Sequence, residues 1–252
     1  CGTKPKSVDI YRKPYLLTPE WANEAVTPAT RALFLIDPDN PMGSGYTRSQ
    51  VRGNAEVARD HDLFLIDDIT YRDFNPDHVL ATEFYPEKTL LSYSFSKAPG
   101  LAGMRVGAIL GPPEILKQVK KCDTNPLGVN VLAQHAALAA LQTKKEWLPA
   151  VRKACEKNQK TIKGAVDKVD GAHLPVFPSK ANMFVIDVSA TGVNPEVLEE
   201  RLLHDHLVHG RAGSYLSKLN GSKFFRVSFT VPETDAKRFA SAFPQVMAKL
   251  RA

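Results

Sequence analysis

Long hydrophobic runs are missing from this sequence. No apolar stretch approaches the roughly 20 residues that a membrane-spanning helix requires. The opening CGTKPKSVDIYRKPY lacks the apolar centre of a secretory signal. These absences point to a cytoplasmic protein with no membrane partner. Cysteine is scarce as well: Cys1, Cys122 and Cys155 are odd in number and far apart, which fits neither a disulfide framework nor a zinc-ligand pattern, so plain thiols are expected. There is no internal repeat, no low-complexity tract and no P-loop; GSG and GPPE read as a turn and a helix start.

The net charge of +6 rests on scattered basic residues. In the densest group, KKEWLPAVRKACEKNQKTIK, acidic residues interrupt the basic ones and a helical repeat spreads them over a solvated face. No aromatics interleave with these charges as stacking on single strands would need, so no nucleic-acid partner is expected. The chain has 252 residues, 43% of them hydrophobic, which suffices for one large or two modest domains.

ALFLID at residues 32–37 stops at the turn-rich PDNPMGSG and reads as a buried strand ending in a loop. TRSQVRGNAEVARDHD follows as a helix capped by Thr47, with Val51, Ala55 and Ala58 inward, and LFLIDD is a second apolar run. Strand, helix, strand with both strands apolar is the crossover unit of a parallel sheet. TLLSYSF and MRVGAILG supply further strands, Pro112 and Pro113 open a helix, and the alanine-rich NVLAQHAALAALQ is expected to pack closely. From about Thr143 the character changes to a long polar helix, ANMFVIDV, a helix capped by Asn194, FFRVSFT, and a last helix from about Glu233, as in an α+β layer with one wet face. The expected division is residues 1–142 and 143–252.

Parallel α/β sheets collect ligands beyond the carboxyl ends of their strands. Here the first strand delivers Asn40, the second Asp67 and Asp68 with Tyr71 a turn later, and the third Ser94, Ser96 and Lys97. A desolvated lysine has a lowered pKa and its free amine attacks a carbonyl; Arg105 and the serines suit a phosphate dianion. Together they suggest a phosphorylated aldehyde. A carboxylate such as Asp68 would keep a pyridine nitrogen protonated, and Asn40 and Tyr71 could hydrogen-bond a phenolic oxygen. Each residue has a plainer use: Lys97 as a loop lysine, Asn40 in turn chemistry, Asp68 as a cap, Tyr71 as a core aromatic, Arg226 as an edge charge. HDHLVH could suggest a metal, but its spacing does not put His204, His206 and His209 on one face, so no metal is expected.

DPDNPMG, DDITYRDF, SYSFSKAPGLAGMRVG and FFRVSF, in this order and over nearly the whole chain, resemble the pyridoxal-phosphate-dependent aminotransferases of fold type I, class I/II. The resemblance implies an α/β fold, with a three-layer, mainly parallel large domain and a smaller C-terminal α+β domain. It implies an enzyme moving an amino group between an L-amino acid and a 2-keto acid through a Schiff base on Lys97, with pyridoxal 5′-phosphate as cofactor. Lys97 would also shuttle the proton. Asp68 would pair with the pyridine nitrogen, Asn40 and Tyr71 with the 3′ oxygen, and Thr70 would lie against the ring. Ser94, Ser96 and Arg105 would hold the phosphate, and Arg226 the substrate α-carboxylate, with Asn40 also at the substrate. A homodimer is expected.

Met42 stands where the family often has threonine, and DDITY replaces a commoner acidic-alanine version. The family usually carries about a domain's length of chain before the asparagine motif, whereas Asn40 lies near the first residue here, so a truncated portion is expected. NPLGVNVLAQHAALAAL and PSKANMFVIDV look like the histidinol-phosphate aminotransferase branch. A decarboxylase or lyase of the same fold, or a non-catalytic binding or assembly domain, remain the alternatives.

Overall fold

The computed structural model describes residues 2–124 and 127–251; Cys1, and Asn125 and Pro126 at the head of the alanine-rich motif, lie outside the described residues. The chain forms two compact units, Cys1–Pro38 with Gly45–Lys145 and Asp39–Ser44 with Glu146–Ala252.

In the first unit α1 (Pro19–Ala25) precedes β1 (Ala32–Ile36), α2 (Arg48–Asp60), β2 (Phe64–Asp68), β3 (Thr89–Ser94), β4 (Gly107–Leu110), α3 (Pro113–Lys121) and α4 (Val131–Gln142). The sheet order is β1-β2-β3-β4. The first three strands are parallel, with Ile36 beside Asp68 and Asp68 beside Ser92; β4 returns antiparallel, with Gly107 beside Ser94. Helix α2 starts on a full capping box, in which Thr47 accepts from the Gln50 N–H and the Gln50 side chain accepts from the Thr47 N–H. It buries Val51, Asn54, Ala55 and Ala58 against a core that includes Leu35, Leu65 and Tyr85. Alternation along the strands therefore turns Leu35, Leu65 and Asp67 to the α2 side, and Phe34, Phe64 and Asp68 to the other. On that other face Phe34 and Ile109 are about half exposed, at 53% and 52%.

Helix α4 differs from the close packing expected of it. Only Ala133 and Ala137 are buried, while Val131, Leu132, Leu138 and Leu141 are exposed. Its apolar residues run all round the helix, so no single face could bury them all.

The second unit comprises most of α5 (Lys144–Val166), then β5 (Met183–Asp187), α6 (Pro195–His206), β6 (Arg211–Ala212), β7 (Phe224–Ser228) and α7 (Glu233–Arg251). Its antiparallel sheet runs β5-β7-β6. Every residue of β5 is buried, so the wet face expected there is absent on this strand. Asn194 caps α6 by accepting from the Glu196 N–H, with Pro195 in the first turn. Among the described residues no helix is long and apolar enough to cross a membrane. Cys122 is exposed, Cys155 is buried, and both are free thiols; burial pushes the Cys155 thiol up to about 11.

Candidate active site

The candidate residues divide between the units: Asp68, Thr70, Tyr71, Ser94, Ser96, Lys97 and Arg105 belong to the first, Asn40 and Arg226 to the second.

In the first unit, pairing of Asp68 with Ser92, and of Ser94 with Gly107, puts the carboxylate and both serines on one face at the carboxyl ends of β2 and β3. Half-buried Asp68 accepts the Thr70 N–H at 3.0 Å through Oδ1, which turns the chain sharply after β2. Tyr71 follows, its ring buried. After β3 the chain turns again: the Ser94 hydroxyl accepts the Ser96 N–H at 3.2 Å and the Lys97 carbonyl accepts the Gly100 N–H at 2.9 Å. The Lys97 ammonium lies 5.9 Å from the centroid of the Tyr71 ring, within cation–π range. Lys97 itself is exposed, unlike the desolvated lysine that the sequence reading invoked.

Ser92, Ser94, Ser96 and Arg105 line one open cavity of about 330 Å³, together with Tyr93 and with Gly107–Ile109 of the paired strand β4. Arg105 has a left-handed backbone, φ 54°, ψ 47°, a conformation that costs a non-glycine residue about 1–2 kcal/mol. Such a residue is retained where its side chain or turn is used.

In the second unit, Asn40 sits in a short loop laid on the strand β5 and the turn before it. The Lys180 N–H donates to the Gly43 carbonyl at 2.7 Å. A Cβ on Gly43 would fall 2.2 Å from Ser179 Oγ and 2.8 Å from the Met183 carbonyl, and its φ of +79° is one that side chains avoid. Only glycine therefore lets the loop lie so close. Asp39 closes the loop by accepting the Met42 N–H at 2.9 Å, and burial pushes its carboxyl up to about 7. Met42 is fully buried and acts as a core side chain. Half-buried Arg226, on the central strand β7, donates from Nη1 to the Asn40 side-chain carbonyl at 3.0 Å, across 186 residues of sequence. That bond orients the asparagine amide.

Residues 2–243 match the family model of aminotransferase class I and II. The chain belongs to that family. The histidinol-phosphate aminotransferase of Methanosarcina mazei is 29% identical over 238 residues, which are 94% of this chain and 60% of that one. The aspartate aminotransferase of Pyrococcus horikoshii is 25% identical over 222 residues, 85% of this chain and 56% of that one. Among solved structures, a tetra mutant of Thermus thermophilus aspartate aminotransferase superposes with a TM-score of 0.80 at 25% identity, covering 92% of this chain and 64% of that one. The chain thus spans less than two thirds of each of these relatives.

Family members use pyridoxal phosphate, and the donor set here suits it. Ser94, Ser96 and Arg105, which line one cavity, are residue types that suit a phosphate dianion, and a carboxylate on the same sheet face as Ser94 suits a protonated ring nitrogen; Arg105 Nη1 also donates to the Ala102 carbonyl at 3.1 Å. Several ionisable groups escaped the sequence reading: Asp73, Tyr93 and Lys144 form one hydrogen-bonded group around the buried Asp73 carboxylate, and the His78 side chain is buried. Asp67, which the sequence reading put at the strand end beside Asp68, is buried on the opposite face. The alternation of β2 was the available signal for Asp67, because adjacent residues of a strand cannot share a face. His204 and His209 are exposed and His206 is half-buried.

Proposed function

We propose that this chain carries a large part of the active site of a pyridoxal-phosphate-dependent aminotransferase that acts on an L-amino acid and a 2-keto acid, in the cytoplasm and as a homodimer. The observation that carries the reading is the gathering of Ser94, Ser96 and Arg105 around one cavity, with Asp68 on the same sheet face. When bound, the cofactor supplies an electron-poor ring that makes the substrate α-proton removable.

The roles of the chain's own residues follow from their chemistry. Ser94, Ser96 and Arg105 hold the phosphate, Arg105 as its charge partner. Asp68, acceptor-only when ionised, keeps the proton on the ring nitrogen. The Tyr71 hydroxyl would donate to the 3′ oxygen and Thr70 would face the ring; in its own unit, the Asn40 amide nitrogen offers a donor of the same kind. The Lys97 amine would be the group that holds the cofactor's aldehyde carbon, and it would serve as the base for the substrate α-proton. The Arg226 guanidinium grips the α-carboxylate in a planar bidentate pair.

Borohydride treatment of the protein incubated with pyridoxal phosphate is expected to fix one cofactor on the Lys97 peptide, read by mass spectrometry. Visible absorbance should shift with an amino acid and return with a 2-keto acid. A labelled protein that a keto acid does not restore points instead to decarboxylase or lyase chemistry. No label at Lys97 would leave a binding or assembly domain as the reading.

Arg226→Ala removes the donor of a half-buried charge-assisted contact with the Asn40 side-chain carbonyl. Losing such a partner costs about 2 kcal/mol or more, so amino-acid binding, read from the same absorbance titration, should weaken about 30-fold or more. Unchanged affinity would remove Arg226 from the site.

A further inference from the structure

We propose that Asp73 is a positioning residue of this site, clamping the turn that carries Thr70 and Tyr71 to the strand that delivers Ser94, Ser96 and Lys97. The proposal rests on the functional reading above, which gives Asp73, Tyr93 and Lys144 no role of their own, although Tyr93 is among the residues that line the cavity.

The backbone alone leaves the placement of these two loops open. The β2–β3 ladder ends with the Ile69 N–H donating to the Ser92 carbonyl at 2.9 Å. Thr70 and Tyr71 on one side, and Ser96 and Lys97 on the other, lie past that bond. Beyond the ladder, the 3-10 turn Arg72–Phe74 is closed on itself by the Phe74 N–H donating to the Tyr71 carbonyl at 3.0 Å. Asp73 lies in this turn and is 4% exposed. Its Oδ2 accepts from the Tyr93 hydroxyl at 2.6 Å and its Oδ1 from the Lys144 ammonium at 2.5 Å.

Tyr93 stands between Ser92 and Ser94 on β3, and alternation sends its side chain to the sheet face opposite those serines. The clamp therefore grips β3 from behind while the serines face the cavity. Charge-assisted bonds to a buried carboxylate are short and strong, and leaving such a carboxylate under-satisfied is costly. Burial, and then Asp73 itself, push the Tyr93 phenol upward, which keeps it the donor of this bond. The ring is held independently by an edge-on contact with Phe95, centroids 5.0 Å apart, so the hydroxyl can be removed without displacing the ring.

Tyr93→Phe and Asp73→Asn test the proposal together. Hydrogen exchange is read without cofactor, and pyridoxal phosphate affinity and the pH midpoint of the bound-cofactor absorbance are read with it. In both variants the amides of residues 70–75 should exchange about tenfold faster while those of α2 stay unchanged. Affinity should fall about tenfold, the worth of one charge-assisted bond, and the absorbance midpoint should move. Wild-type exchange in that turn, or unchanged affinity and midpoint in Tyr93→Phe, overturns the proposal whatever happens to the unfolding midpoint. A wild-type protein that takes no label at Lys97 overturns the functional reading and this proposal with it; one that labels normally while Tyr93→Phe behaves as wild type overturns this proposal alone.

Discussion

Asp67→Asn is expected to stabilise the protein at pH 8 and to have almost no such benefit at pH 4. Asp67 is 1% exposed; its Oδ2 accepts the Ala81 N–H at 3.4 Å, and Oδ1 has no hydrogen-bond partner. Burial pushes its carboxyl from 3.8 up to about 7, the neighbouring Asp68 adds to the rise, and the Ala81 N–H and Arg72 oppose it. The folded-state value is raised, so between about pH 4 and 7 the unfolded chain has released the proton that the folded chain keeps. Stability from this group is therefore complete below the unfolded value and is lost as pH climbs to about 7. At about 1.4 kcal/mol per pKa unit, the rise from 3.8 to about 7 corresponds to about 4 kcal/mol.

Asparagine keeps the carbonyl acceptor and does not titrate. Against the gain stands the burial of an amide nitrogen without a partner, about 1–3 kcal/mol. Urea unfolding at pH 4, 6 and 8 should show the difference between variant and wild type growing with pH by about 4 kcal/mol. A difference independent of pH would mean that Asp67 is already ionised when folded. His78 does not disturb the comparison. Burial pushes its imidazole down to about 4, so its contribution runs the opposite way, growing as pH rises to about 6.5, and it is present in both proteins.

The pair Asp67–Asp68 also shows where sequence reading succeeds and where it stops. That two acids end the second strand was legible, because apolar runs ending in turn-rich loops mark buried strand ends. Which acid turns toward the serines of β3 depends on the register with β1 and β3, where Leu35 lies opposite Asp67 and Ile36 opposite Asp68. Pairing is not written in either strand alone. The start of the α2 helix was legible, since Thr47 and the spacing of Val51, Ala55 and Ala58 are local signals, whereas its end came at Asp60, before the His61 and Asp62 included in the reading. The reversed direction of β4 was not, nor was β6, which is only two residues long and exists through its pairing with β7.

The Asp73 clamp draws on residues 73, 93 and 144, none within reach of the others along the chain. The same holds for His78, whose Nε2 donates to the Asp37 carbonyl at 3.2 Å across 41 residues. For α4 the composition suggested burial, but helical periodicity was the better guide: apolar residues on every side leave some exposed. The motif carrying Arg226 was visible as FFRVSF, whereas its bond to Asn40 emerged only from the fold of the second unit.

That bond depends on the strand beneath it, so the largest packing effect is expected at Phe225. This residue is 0% exposed on β7, the middle strand, paired with Ile186 on one side and Ala212 on the other. Its ring lies over the backbone of Gly210: a Cβ there would fall 2.2 Å from the ring tip. Phe225→Ala removes a fully buried aromatic and leaves a cavity that strands held by ladder bonds cannot fill, at a cost of about 3–5 kcal/mol. The adjacent Arg226 then rides on a looser strand, so its grip on Asn40 should weaken too. Gly210→Ala in the otherwise native protein drives a methyl into a ring with no room to retreat, costing about 1–3 kcal/mol. In the Phe225→Ala background the same methyl enters the space the ring has vacated and should be nearly neutral or partly restoring. Denaturant unfolding of the two single variants and the double variant measures this coupling. Additive losses would show that ring and glycine do not share that space, and that the fit of β7 against Gly210 is not what holds Arg226 in place.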